Sequence, residues 1–358
     1  MKRLYTFFLC LFSMTAFSQK LDDASQFAYS SEIGGICKWD SNKKATVVLT
    51  FDDWTPGQFP LVVPALKHHQ MVATFFPIPG NITKSDLAWK AVQTTIKNGN
   101  EIGNHSLTHP NLTTLPDETM LQEIREPQQI IETNVVGNKV TSFAYPYGAG
   151  ADNARIINSL KACGHIGARS VYGEWNYSYN FAKSDDDYYR IQIYGLNEKT
   201  KNSQFYDQVE KVMAGGGLLT FLYHSVDDDL GSYNDTWFAQ VKLDSLCAQL
   251  DFLKKHKNEL WITTFKNAVL YHREANRAIL KQLPSSNANE IAVVANITDE
   301  NLLKLVPETE MVPLTLCIKT DKKVLSITQN GMAIPIDKQT ADYVQFKALP
   351  NQPVIIKN

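Results

Sequence analysis

Two adjacent acidic residues and two histidines four positions apart carry the clearest chemical signal in this sequence. Asp52 and Asp53 directly follow the apolar run 45–51, and His105 and His109 follow a predicted short strand at 101–103. One helical turn or a tight loop can direct both imidazoles of such a pair at a single metal ion. Two histidines together with one carboxylate bind a divalent metal and leave coordination positions open for water and substrate.

Neither signal is sufficient alone. Acidic runs also occur at 185–187 and 227–229, where solvated loops are the usual structure, and a spacing of four between histidines arises by chance. Position is what distinguishes Asp52 and Asp53, because they stand at the carboxyl end of a predicted strand. Adjacent carboxylates at such a point repel each other unless a cation or a proton intervenes.

The segments that must position these residues alternate between strands and helices. Apolar and β-branched runs predict strands at 45–50, 72–76, 140–145 and 217–223, with helices between them. This alternation predicts an α/β fold with parallel strands covered by helices. Seven or eight repeats indicate a barrel or near-barrel, with its chemistry at the carboxyl ends of the strands.

Two more features end predicted strands. Pro146, Tyr147 and Gly148 follow the strand at 140–145, where they can hold a loop with inward-pointing backbone N–H groups. His224 follows the strongly apolar strand at 217–223. A lone histidine at the end of a buried strand is a structural residue about as often as it is a catalytic or ligand-binding one.

The sequence divides into three predicted regions. Residues 1–18 combine Lys2 and Arg3, an apolar run and a small-residue end, which is typical of a secretory signal peptide. A membrane anchor is the alternative, but the run is shorter than the roughly 20 residues a span needs. Residues 38–282 form the predicted barrel, and residues 290–358, rich in short β-branched runs, form a small β-sandwich-like domain with a packing or spacer role.

Composition excludes several classes of protein. The chain has 358 residues, 44% hydrophobic, 20% charged, with a net charge of −2, so it lacks the basic surface of a nucleic-acid-binding protein. We expect export to the periplasm or the extracellular medium, with no stable membrane insertion after signal cleavage. Beyond Cys10 the four remaining cysteines are widely spaced, which favours buried free thiols with at most one disulfide.

The four strand-end features, in this order, resemble the polysaccharide deacetylase family, that is, carbohydrate esterase family four with its nodulation-type chitooligosaccharide deacetylase homology domain. The resemblance covers about residues 40 to 275. Asn104 just before His105 and the apolar segment 261–265 agree with it. It implies a distorted (β/α) barrel.

The resemblance also implies roles for the matching residues. Asp52 would be the general base and His224 the general acid. Tyr147 would donate its backbone N–H to the oxyanion, beside substrate-contacting Pro146. The metal ligands, most often for Zn²⁺, would be Asp53, His105 and His109.

Two departures from the family pattern stand out. Ala144 occupies the place of an arginine that orients the base, and Arg169 at the next strand end either replaces it or forms a structural ion pair. The acid-rich segment ending in tryptophan has its nearest counterpart in Glu174 and Trp175. Trp54 and Trp175 are predicted to stack on a sugar ring.

The resulting prediction is a secreted, metal-dependent hydrolase that removes N-acetyl groups from a glycan containing N-acetylglucosamine. Its partner would be an acetylated oligosaccharide or polysaccharide. An O-acetyl esterase acting on xylan or another plant polysaccharide uses the same residues and is one alternative. A catalytically weakened glycan-binding module is another, although retention of every ligand and both acid–base residues disfavours it.

Overall fold

A computed structural model describes residues 24–82, 86–235 and 238–358 of the chain. The predicted signal peptide lies outside the described residues. No helix within these ranges is both long and apolar enough to cross a membrane.

The described strands and helices follow one another along the chain with few long connections. The strands are β1 (Phe27–Ser31), β2 (Gly34–Cys37), β3 (Ala45–Asp53), β4 (Thr74–Pro77), β5 (Glu101–Ile102), β6 (Ser142–Ala144), β7 (Gly167–Tyr172), β8 (Ile191–Gly195), β9 (Leu218–Tyr223), β10 (Val226–Asp227), β11 (Val241–Lys242), β12 (Leu260–Thr263), β13 (Ala278–Leu283), β14 (Glu290–Ile297), β15 (Leu314–Lys319), β16 (Ser326–Gln329), β17 (Met332–Ile334), β18 (Ile336–Gln339), β19 (Tyr343–Ala348) and β20 (Val354–Lys357). The α-helices are α1 (Val63–His69), α2 (Pro79–Ile82), α3 (Asp86–Lys97), α4 (Asp117–Asn134), α5 (Ala154–Ala162), α6 (Asn202–Gly215), α7 (Leu243–Lys255), α8 (Phe265–Ala275) and α9 (Glu300–Leu305).

One sheet is parallel throughout and has the order β5-β4-β3-β9-β8-β7-β6, with β12 paired to the first half of β3. A parallel bridge between Asn104, just after β5, and Phe143 of β6 joins its two outer strands. The sheet therefore curls into a closed, irregular barrel. This confirms the predicted α/β fold with a distorted barrel of seven or eight strands.

The central strand β3 shows why this sequence folds in that way. All of its residues except Asp53 are buried, as expected for a strand of a parallel sheet that is covered on both faces. Phe51 stacks on Phe75 of β4 at 5.1 Å and on Tyr223 of β9 at 4.8 Å between ring centres. These contacts hold three strand ends together directly beside Asp52.

Two antiparallel five-stranded sheets form the predicted β-sandwich. Their orders are β1-β2-β15-β19-β18 and β13-β14-β20-β16-β17. The prediction began this region at residue 290 and assigned residues up to 282 to the barrel. Instead α8 ends at Ala275, β13 pairs with β14, and β2 pairs with β15. A short strand whose partner lies some 280 residues away carries no local pattern that reveals the pairing.

Helix α8 connects the barrel to the sandwich. The Tyr271 hydroxyl donates to the carbonyl oxygen of Cys37 at 3.1 Å and accepts the N–H of Thr315 at 3.2 Å. None of the four described cysteines forms a disulfide. The sulfurs of Cys37 and Cys317 lie 3.6 Å apart, in contact but well beyond the roughly 2.05 Å of a disulfide.

Replacing Glu274 of α8 by glutamine is expected to make the free energy of unfolding less dependent on pH. The Glu274 side chain is fully buried and accepts the N–H of Val312. Burial raises the pKa of this carboxyl to about 9, so between pH 4.5 and 9 it is protonated in the folded chain and ionised in the unfolded chain. The free energy of unfolding therefore falls as the pH rises from 4.5 to 9, by at most about 1.4 kcal/mol per pH unit. Below pH 4.5 the carboxyl is protonated in both states, and its full contribution to stability is present.

Urea unfolding followed across this pH interval measures the effect. Glu274→Gln should flatten the dependence of the unfolding free energy on pH relative to the unmodified chain. Glu300→Gln is the matched control, because the Glu300 side chain is 85% exposed. Equal pH slopes for all three proteins would contradict the assignment of a protonated buried carboxyl at Glu274.

Candidate active site

The carboxyl ends of the barrel strands carry residues in an unusual backbone conformation. Asp53 and Trp54, at the end of β3, have φ angles of 71° and 58°. Ser106, His109 and Tyr147 also have positive φ, at 64°, 63° and 59°. Non-glycine residues rarely adopt this region, and where they do they concentrate at functional sites. Five of the twelve described non-glycine residues with positive φ thus lie on the loops that the sequence singled out.

Three side chains converge as a candidate metal site. One ligand atom each from Asp53, His105 and His109 lies within 4.8 Å of the others. Asp53 Oδ1 is 3.6 Å from His105 Nε2 and 4.0 Å from His109 Nε2. Two imidazole nitrogens and one carboxylate oxygen form a donor set suited to zinc and related divalent metals. The predicted ligands are therefore brought together.

The histidine pair lies on a loop, not on a helical turn. Asn104 Oδ1 accepts the N–H of Ser106, and Ser106 Oγ accepts the N–H of His109, each at 2.9 Å. Glu123 of α4 accepts the N–H groups of Leu107 and Thr108, also at 2.9 Å. Sequence reasoning missed Glu123, which lies on an ordinary amphipathic helix and carries no local signal of this contact.

Hydrogen bonding and burial prepare the imidazoles for coordination. His105 Nδ1 lies 2.8 Å from the carbonyl oxygen of Ala144, and by donating its proton there it leaves Nε2 free to bind a metal. Burial lowers the pKa of His105 to about 4 and also lowers the pKa of His109. Both rings are thus neutral near pH 7. Ala144, where the family pattern has arginine, contributes through its backbone.

Asp52 is buried and paired with a cation. Its Oδ1 accepts a hydrogen bond from the guanidinium of Arg169, which is 1% exposed, and its Oδ2 lies 3.4 Å from His105 Nε2. Burial tends to raise the pKa of Asp52, but the interactions with Arg169 above all, and with His105 and His224, outweigh it and hold the pKa below its ordinary value. Asp52 is therefore ionised, and Arg169 is the arginine that pairs with it.

His224 faces the same carboxylate from the carboxyl end of the neighbouring strand β9. Its Nε2 lies 4.0 Å from Asp52 Oδ2, and its ring contacts Phe238 edge-on at 4.9 Å between centres. Burial lowers the pKa of His224, although the charge of Asp52 acts in the opposite direction. Among the described residues, no side chain or backbone group pairs with its buried Nδ1. Glu174, suggested as part of a tuning segment, instead bonds to Lys211.

The predicted substrate-contacting residues divide into two groups. Tyr147 is 70% exposed and its ring packs on His109 at 4.6 Å, beside the buried Pro146. Trp54 is partly buried and packs edge-on against Phe75. Trp175 lies elsewhere, with its ring on Phe181 and its Nε1–H donated to the carbonyl of Arg190. Phe238, 61% exposed beside His224, was not predicted.

A parallel barrel with acidic and imidazole side chains gathered at its carboxyl edge is the typical arrangement of a barrel enzyme. Residues 40–167 match the model of the family described as polysaccharide deacetylase. This part of the chain belongs to the polysaccharide deacetylase family, as the resemblance predicted.

Curated relatives include two deacetylases and a lyase, each matched over part of its own length. A peptidoglycan-N-acetylmuramic acid deacetylase of Bacillus subtilis is 35% identical over 117 residues, covering 32% of this chain and 24% of that protein. A chitooligosaccharide deacetylase of Azorhizobium caulinodans is 31% identical over 129 residues, covering 35% and 57%. A gellan lyase of a Bacillus species is 21% identical over 329 residues, covering 88% and 13%. The chain thus spans less than two thirds of each of these relatives.

Solved structures of similar proteins include a peptidoglycan deacetylase from Bacillus subtilis. It is 23% identical to this chain, with a TM-score of 0.41, and the match covers 66% of this chain and 96% of that one.

Proposed function

We propose that this chain is an exported, metal-dependent hydrolase that removes N-acetyl groups from a glycan containing N-acetylglucosamine. One observation carries the proposal: the ligand atoms of Asp53, His105 and His109 converge within 4.8 Å of one another. Asp52 lies beside them, between His105 and His224. The relatives named as peptidoglycan and chitooligosaccharide deacetylases support an acetylated amino sugar as substrate. The predicted signal peptide supports export.

The residues present fit a divalent ion. Asp53, His105 and His109 would hold it, and the neutral state of both imidazoles suits the deprotonated ligands that metals require. When bound, a Zn²⁺ ion lowers the pKa of a water molecule and polarises the acetyl carbonyl group.

The other residues would supply acid–base chemistry and orientation. Asp52, ionised and buried, accepts the proton of the attacking water on Oδ2, while Arg169 holds Oδ1. The backbone N–H of Tyr147 donates to the developing oxyanion. His224 passes a proton from Nε2 to the departing amine. An O-acetyl substrate would use the same groups, with an alkoxide as leaving group.

Acetate release from defined substrates tests the proposal. Chitooligosaccharides, peptidoglycan fragments and acetylated xylan would each be incubated with the protein, with a chelator, and again after zinc is restored. Zinc-dependent release from either amino-sugar substrate is the expected result. Release from xylan alone would replace the amidase assignment with an esterase, and glycan binding without any release would favour a binding module.

Arg169→Ala is expected to lower kcat while leaving zinc content unchanged. The substitution removes the cation that orients Asp52 and lowers its pKa, but it touches none of the proposed metal ligands. A decrease of about 10²-fold is expected from lost orientation of the base. Kinetics and zinc analysis on the same preparation measure both quantities. Arg155→Ala is the control, since Arg155 pairs with the exposed Asp117. An unchanged kcat would reduce Arg169 to a structural ion pair.

A further inference from the structure

A buried glutamine connects the strand ends that carry Asp52 and His224. Gln58 lies in the turn that follows β3 and is fully buried. Its Nε2 donates to the carbonyl oxygen of Asp52 at 2.5 Å and to that of His224 at 3.0 Å. Both partners are acceptors, so only the amide nitrogen can face them. One side chain thus contacts the backbones of both proposed acid–base residues.

The position of this amide matters because the β-ladder stops just before it. The parallel pairing of β3 with β9 ends at the pair Phe51 and Tyr223, one residue before Asp52 and His224. Asp52 and His224 are therefore not themselves a pair of this ladder. The two bonds from Gln58 take the place of the next rung.

A second buried side chain braces the same pair of loops. Asp235 Oδ2 accepts the hydroxyl of Thr55 at 2.6 Å, the N–H of Gly57 at 2.9 Å and the N–H of Val226 at 3.2 Å. The backbones approach so closely that a Cβ on Gly57 would lie 1.7 Å from the carbonyl oxygen of Val226. The turn carrying Gln58 is therefore held against the loop that follows His224, and the amide has little freedom to move away.

We propose that Gln58 is a positioning residue that sets the separation between Asp52 and His224, and so aligns the proton acceptor with the proton donor. The assignment of those two roles rests on the proposed function. The separation of 4.0 Å between Asp52 Oδ2 and His224 Nε2 is a property of the structure and does not depend on the proposed function. Both hydrogen bonds of the Gln58 amide end on backbone carbonyl oxygens and not on the side chain of a proposed metal ligand, so its effect should be separable from metal binding.

Gln58→Met tests the proposal, because methionine approximates the volume of glutamine and cannot donate to either carbonyl. Gln329→Met is a closely matched control. Gln329 is also buried, and its Nε2 also donates to two backbone carbonyls, those of Leu349 and Gln352, within the sandwich. Gln58→Met removes two hydrogen bonds from a buried amide, and Gln329→Met removes three, because Gln329 Oε1 also accepts the N–H of Leu349 at 3.1 Å. Only Gln58 lies at the site. Should Gln58→Met fail to fold, Gln58→Asn keeps the amide while making it too short to reach both carbonyls.

Kinetics on N-acetylated chitopentaose, zinc analysis, thermal unfolding and crystal structures of the zinc-loaded proteins would be compared. For Gln58→Met we expect kcat to fall by about 10- to 100-fold with KM changed less than about twofold, one zinc retained per chain, and a wider Asp52–His224 separation. Gln329→Met should lower the melting temperature by at least as much, with kcat unchanged. An unchanged kcat or an unchanged separation in Gln58→Met, or an equal loss of kcat in Gln329→Met, would overturn the proposal. If the unmodified protein releases no acetate, the proposed function fails on this substrate, while the measured separation still decides the role of Gln58.

Discussion

Replacing Asp52 by asparagine is expected to reduce kcat by about 10²- to 10⁴-fold while one zinc ion per chain remains bound. Asparagine keeps the shape of the side chain and still accepts the hydrogen bond of Arg169, but it cannot take a proton from water. The three proposed ligands are untouched, so metal content and activity should separate. Steady-state kinetics and elemental analysis of one preparation measure the two quantities.

Stability must be followed in the same Asp52→Asn protein. The substitution leaves the buried guanidinium of Arg169 without its counter-ion, and breaking a buried pair typically costs about 3–5 kcal/mol. Thermal unfolding therefore accompanies the kinetics, and only rates measured well below the transition are compared. Asp152→Asn is the control, because the Asp152 side chain is 98% exposed. Activity close to that of the unmodified protein in Asp52→Asn would exclude Asp52 as the base.

His109→Ala is expected to abolish zinc binding and, with it, all metal-dependent acetate release. His109 supplies one of three ligand atoms that converge within 4.8 Å, and two remaining ligands hold a divalent ion too weakly to survive dialysis. Its side chain is partly exposed, so truncation should cost little folding stability. Zinc stoichiometry after dialysis against metal-free buffer measures the effect directly.

The control for this substitution is His68→Ala. His68 is an exposed residue near the end of α1, and its removal should leave zinc content and activity unchanged. Full zinc occupancy in His109→Ala would remove His109 from the ligand set. Zinc loss in both variants would point to a general loss of folded structure.

The strand-end motifs were recognisable because each is a local pattern. The apolar run of β3 followed at once by Asp52 and Asp53, and the spacing of His105 and His109, are properties of neighbouring residues. Together with the alternation of strands and helices, these patterns sufficed to predict a parallel barrel with the candidate site residues at one edge of it. Their chemical roles remain predictions that the variants above address.

Other features of the same site left no local trace. Two roles stayed open for Arg169, replacement of the motif arginine or a structural ion pair, since its pairing with Asp52 joins residues 117 positions apart. Trp175 was predicted to stack on a sugar ring, but its ring packs on Phe181 instead. Glu123 and Gln58 were not singled out, because a buried polar residue and an exposed one look alike until their surroundings are known.

The sequence by itself therefore determined the α/β barrel, the strand-end motifs and the candidate metal ligands among them. Tertiary structure alone decided that β1, β2 and β13 join the sandwich, that Arg169 holds Asp52, and that Gln58 bridges Asp52 and His224. The physical reason is the range of the interactions. Periodicity and capping are governed by near neighbours, whereas strand pairing, buried ion pairs and buried amides depend on which distant segments the folded chain brings into contact.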